Sequence, residues 1–97
     1  MKDRRDYEEA FRLAGNVIRK WDPYNLIREG APEDEFDGEI AKVVAAAARS
    51  HTPLDLAQSM SQIFTDSLGE KFTPDDCLYP ASKIMARLRE SKLIAAA

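Results

Sequence analysis

Trp21-Asp22-Pro23-Tyr24-Asn25-Leu26, followed by Gly30-Ala31-Pro32-Glu33-Asp34-Glu35-Phe36-Asp37-Gly38-Glu39-Ile40, interrupts a 97-residue chain that otherwise reads as amphipathic helix. The stretch from Trp21 to Ile40 holds the only tryptophan, two of the five prolines, two of the four glycines and seven of the seventeen acidic residues. Pro23 disfavours helical backbone at Asp22 yet fits the first position of a new helix that Asp22 can cap. A short helix is therefore expected over Pro23 to Glu29, closed by Gly30, with Tyr24, Leu26 and Ile27 on its apolar side. Ala31-Pro32 then forces extended backbone, and an ordered acidic loop follows with Phe36 as its anchor in the core.

Before this stretch, Tyr7, Phe11, Ala14, Ile18 and Trp21 step by four and three, and Leu13 and Val17 widen the stripe, which is one face of a helix. Gly15 lowers helix propensity there by about 1 kcal/mol relative to Ala, so close approach of another element is expected at that point. After the stretch, a helix from about Asp37 or Gly38 to Arg49 turns Ile40, Val43, Val44 and Ala47 inward, started by Asp34 or Asp37 as its cap. Its run Val43-Val44-Ala45-Ala46-Ala47-Ala48 is apolar all round, which predicts packing on several sides at short interaxial distance. Thr52-Pro53 opens a third helix with Leu56, Met60, Ile63, Phe64 and Leu68 as its core face and Gly69 at its end. Thr73-Pro74-Asp75-Asp76 repeats the same start signature for a fourth, with Cys77, Ala81, Ile84, Met85 and Leu88 inward. Pro80 removes a hydrogen bond inside that helix and predicts a kink or a separate first turn around Leu78 to Pro80.

These readings give an all-α fold: one domain over residues 1–97, a compact bundle of four principal helices with a short extra helix and an ordered acidic loop. Frayed ends are expected at about 1–4 and 91–97. Hydrophobic residues at 44% and charged residues at 32% supply both a core and a solvated surface, so intrinsic disorder is not expected. No apolar run reaches the roughly 20 residues that span a bilayer, and Met1-Lys2-Asp3-Arg4-Arg5-Asp6 leads into charge. With a lone Cys77, which cannot form an intramolecular disulfide, a cytoplasmic location is expected.

Charge is unevenly divided. Residues 1–21 carry six basic and four acidic side chains, residues 22–39 one and seven, and residues 40–97 seven and six, giving local sums of +2, −6 and +1 within a net charge of −3. The densest cluster has the wrong sign for phosphate neutralisation, so a protein partner with a basic surface is expected, and neither nucleic acid nor membrane. The residues expected to meet that partner are Trp21, Asp22, Tyr24, Glu33, Asp34, Glu35, Asp37 and Glu39.

No arrangement compels a reaction. Glu33, Glu35 and Asp37 fall in the first, third and fifth places of a calcium loop with Gly38 in the sixth, but the twelfth, which must supply a bidentate Glu, is Val44. His51 and Cys77 are the only residues of their kinds, and Cys77 lies on an apolar stripe with nothing beside it to activate a thiolate. No catalytic, cofactor or metal residues are assigned. The leading expectation is a non-catalytic interaction module, such as an immunity- or antitoxin-like inhibitor or a regulatory subunit. The alternatives are a carboxylate- or metal-dependent enzyme using Asp22, Glu33, Asp34 and Asp37, and a small-ligand sensor using the acidic loop and Trp21.

Trp21-Asp22-Pro23, Leu26, Gly30 to Asp37 and Glu39-Ile40, with Ile63-Phe64, Gly69 and Phe72-Thr73-Pro74 more loosely, resemble the YugE-like family of small bacterial proteins, a domain of unknown function. The Trp-Asp-Pro and Glu-Asp-Glu-aromatic-Asp blocks at this separation carry the resemblance. It implies an all-helical fold and no established activity.

Overall fold

Three of the four long helices begin at a side-chain cap. The computed structural model describes residues 3–95, apart from the side chain of Glu33. The order is α1 (Arg4–Trp21), a 3-10 turn (Pro23–Asn25), a second 3-10 turn (Glu33–Phe36), α2 (Asp37–Arg49), α3 (Pro53–Leu68) and α4 (Pro74–Glu90). Asp3 caps α1 by accepting the Asp6 amide at 3.0 Å. Reciprocal capping boxes start α3 and α4: Thr52 and Asp55 exchange side chain for backbone at the first, Thr73 and Asp76 at the second. Gly69, at φ 75°, closes α3 with its amide on the Thr65 carbonyl.

The bundle is cyclic in its neighbours. α1 packs on α2 and α4, α2 on α3, and α3 most extensively on α4. The start of α1 lies beside Ser91 and Leu93 and its end beside Phe72 and Asp76, so α1 and α4 run antiparallel. Of the stripes the spacing predicts, Ala14 and Ile18 of α1, Ile40, Val43, Val44 and Ala47 of α2, Leu56, Met60 and Phe64 of α3, and Cys77, Ala81, Ile84, Met85 and Leu88 of α4 are wholly buried, Phe11, Trp21, Ile63 and Leu68 are half-buried, and Tyr7, expected on the α1 face, is exposed.

Several local expectations change. No helix runs over Pro23 to Glu29; Asp22, Tyr24 and Asn25 all adopt positive φ (47°, 63° and 56°), and the chain turns instead. Neither Asp34 nor Asp37 caps α2, whose N-cap is Phe36 without a side-chain bond. The Asp37 amide is held by the Asp34 carbonyl of the preceding 3-10 turn. Ala45 and Ala48 are exposed, so α2 packs along one stripe and not all round. α4 continues through Pro80, whose ring is wholly buried, with no separate first turn. Gly15 makes room for its own helix: a Cβ there would stand 2.7 Å from the Arg19 guanidinium.

The expected frayed ends are partly outside the described residues, at 1, 2, 96 and 97. Within them, α4 ends in a closed turn in which Lys92, at φ 59°, bonds the Arg89 carbonyl and Leu93 bonds the Leu88 carbonyl. This is the Schellman arrangement, with buried Leu93 as its hydrophobic contact. Arg89 adds a 2.6 Å bond to the His51 carbonyl, tying this end to the α2–α3 connection.

Candidate functional site

Asp22 fixes the turn after α1. Its own amide bonds the Ile18 carbonyl at 2.8 Å, ending α1, and its carboxylate then accepts the amides of Ile27 at 2.9 Å and Arg28 at 3.1 Å. The side chain is 3% exposed. A carboxylate with both oxygens committed to backbone donors stabilises the turn.

The turn places Trp21 and Tyr24 on an aromatic cluster. Trp21 meets Phe64 edge-on with centroids 5.2 Å apart and Phe72 at 6.0 Å, and Tyr24 meets Phe72 at 5.3 Å. Phe72 is itself held by hydrogen bonds between its backbone and the Thr65 hydroxyl. Trp21 is half-buried and Tyr24 51% exposed, so Trp21 serves packing while the Tyr24 ring keeps a free face. Desolvation, then the charges of Glu70 and Asp76, raise the Tyr24 phenol above its usual value. The hydroxyl therefore stays protonated, a neutral donor in an acidic setting.

The acidic turn is anchored as expected. Phe36 is fully buried and packs on Phe64 with centroids 6.2 Å apart, while Asp34, Glu35 and Asp37 are exposed on the same short 3-10 segment and its exit. Asp37 stands 3.8 Å from Arg19. Asp34 and Asp37 line a groove of about 590 Å³ together with the apolar side chains of Phe11 and Ile27 and the cationic ones of Arg19 and Lys20. Glu39 lies apart, half-buried, accepting the hydroxyl of Ser67 from α3. The side chain of Glu33 lies outside the described residues.

The eight expected residues are thus not one site. Asp34, Glu35 and Asp37 form an acidic edge; Trp21 and Tyr24 belong to the aromatic cluster; Asp22 and Glu39 are engaged internally. Among the described residues no group of three His, Cys, Asp or Glu side chains is placed to hold a metal ion. The calcium-loop reading also meets the helix itself, since residues 37–49 are helical and Val44 is buried within them. Cys77 is wholly buried, and burial followed by the charge of Asp76 pushes its thiol up to about 12, whereas His51 is exposed in the turn before α3. That thiol is not a nucleophile at neutral pH.

Residues 14–93 match the family model described as a domain of unknown function, DUF1871. The chain belongs to that family. The DUF1871 match begins inside α1 and takes in the Asp22 turn, the acidic edge and the rest of the bundle. No curated protein and no solved structure matches the chain. A cleft that sequence spacing did not reveal lies between α1 and α4. Tyr79, Lys83 and Arg87 repeat every four residues on α4 and meet Lys20 and Trp21 only through the tertiary fold. Among the described residues no helix is long and apolar enough to cross a membrane.

Proposed function

We propose that this DUF1871 protein is a non-catalytic interaction module that presents its acidic edge to a basic protein surface, as an inhibitor or a regulatory subunit does. The observation that carries the reading is the burial of Phe36. A ring fully embedded in the core holds Asp34, Glu35 and Asp37 on an ordered turn, so binding need not order that backbone. The neighbouring groove adds the apolar side chains of Phe11 and Ile27, which suit the alkyl stem of an arginine or lysine whose head meets Asp34, while Asp37 already faces Arg19 across the same groove.

The test uses Glu33→Gln, Asp34→Asn and Glu35→Gln together. Among the described residues no hydrogen bond uses the carboxylates of Asp34 or Glu35, so helicity and melting temperature are expected to stay nearly unchanged. Capture of the partner from the native host, followed by mass spectrometry at low and high salt, is expected to fall and to lose part of its salt dependence. A folded triple variant that captures the same proteins at every salt concentration refutes the reading.

A further inference from the structure

We propose that the cleft between α1 and α4 is a binding site for a nucleoside phosphate, with its ring against Trp21 and Tyr79 and its phosphates on Lys20, Lys83 and Arg87. The cleft holds about 450 Å³ and is more enclosed than the groove beside the acidic turn. That is within the usual range for small-molecule sites. Asn16, Lys20 and Trp21 form one wall and Tyr79, Lys83 and Arg87 the other, and no carboxylate lines it.

Three positive charges converge there in a protein whose net charge is −3. None of the three has a carboxylate within ion-pair distance among the described residues; the ion pairs are Arg4–Glu8, Arg12–Glu9 and Arg19–Asp37. Lys20 and Arg87 lie in the last turns of their helices, where the helix dipole favours a cation. Lys83 is in the middle of α4, where it does not, and it stands one turn from Arg87, a like charge that repels it. A bound anion of two or more charges would turn that repulsion into attraction, and the guanidinium offers phosphate a paired hydrogen bond.

The aromatic half of the site adjoins the charges. Tyr79 is 67% exposed, more than any other large hydrophobic side chain described as exposed, and its ring carries Lys83 Nζ 5.3 Å from the centroid. Trp21 is only half-buried and lines the same cleft. Stacking on an exposed ring beside cations that have no carboxylate partner selects an anion that carries a planar group over a bare one.

The only tryptophan is itself the reporter. The full chain is titrated with ADP, GDP, UDP and CDP while Trp21 fluorescence is followed, with pyrophosphate and adenosine as separate arms. At least one nucleotide is expected to give a saturable change below millimolar concentration, at least tenfold tighter than pyrophosphate or adenosine. Lys83→Gln with Arg87→Gln should weaken it tenfold or more with the circular dichroism unchanged, and Lys42→Gln, an exposed cation on α2, should not. No saturable change with any of the four nucleotides overturns the proposal. So does equal binding of pyrophosphate, or undiminished binding by the folded double variant.

Discussion

Asp22 does at the end of α1 what a whole helical turn was expected to do. Removing its carboxylate leaves the amides of Ile27 and Arg28 without their acceptors, and stranding a part-buried donor costs at the low end of the about 1–3 kcal/mol of a buried one. Asp22→Ala is therefore expected to lower the unfolding free energy by about 2 kcal/mol or more, read from the urea midpoint, whereas Glu35→Gln, an exposed side chain, should stay within about 0.5 kcal/mol. Equal stability of the two variants would show that the turn does not depend on that carboxylate. Gly15 is the opposite case, because the atom a Cβ would meet is the far end of the flexible Arg19 side chain. Gly15→Ala should gain helix propensity of about 1 kcal/mol. It displaces a guanidinium whose bond to half-exposed Asp37, at 3.8 Å, is worth little. The melting temperature is expected to rise; a fall would mean that Arg19 is held in place by more than that ion pair.

The starts of α3 and α4 rest on capping boxes, and each is a local device whose loss should be felt by the whole helix. Thr52→Ala is expected to cost about 1 kcal/mol in urea unfolding. Its partner adds a pH dependence: the amides of His51 and Thr52 hold the Asp55 carboxyl below its usual value of 3.8. A depressed folded value means that the unfolded chain takes up the proton first. The Asp55 contribution is therefore complete above about pH 4 and is lost as pH falls through the depressed value. Asp55→Asn should be less stable than the parent at pH 7, with the difference shrinking in acid; a difference constant down to pH 2 would contradict this. Both helix starts were legible in the sequence because Thr-Pro marks a cap and a first residue, though the acid that completes the first box, Asp55, was not singled out, and the core stripes were legible from periodicity except at exposed Tyr7. The turn after Trp21 was not, since Asp22, Tyr24 and Asn25 adopt positive φ that no spacing announces. The close of α4 was hidden in the same way, with Lys92 where glycine usually signals the turn. At the acidic edge, Phe36 was legible as the anchor, but the engagement of Glu39 with Ser67, 28 residues away, depends on how α2 meets α3. The basic cleft is wholly tertiary.

Cys77 reports on the molecule as one cooperative unit. It sits on the buried face of α4, the helix that packs both on α3 and on α1, and it is 0% exposed. Two barriers oppose its modification: a reagent cannot reach it, and burial with the nearby charge of Asp76 keeps the thiol protonated up to about 12 instead of 9.0. Labelling by a disulfide reagent at neutral pH should therefore pass through opening of the bundle. With unfolding free energies in the usual range of about 5–15 kcal/mol, the native rate is expected to be at least about 10³-fold below that in denaturant. Its dependence on urea should match that of global unfolding. Ionisation gives the same thiol a second readout. As pH rises past about 9 the unfolded chain loses the Cys77 proton while the folded chain keeps it, so stability attributable to this group is complete below that value and is lost as pH rises toward 12. Comparison with Cys77→Ala isolates the effect from lysine and tyrosine titration, since only the parent should show the additional alkaline loss. Fast native labelling that ignores urea would mean that α4 opens locally without the rest of the bundle. Identical alkaline profiles for parent and variant would mean that Cys77 ionises in the fold as it does in water.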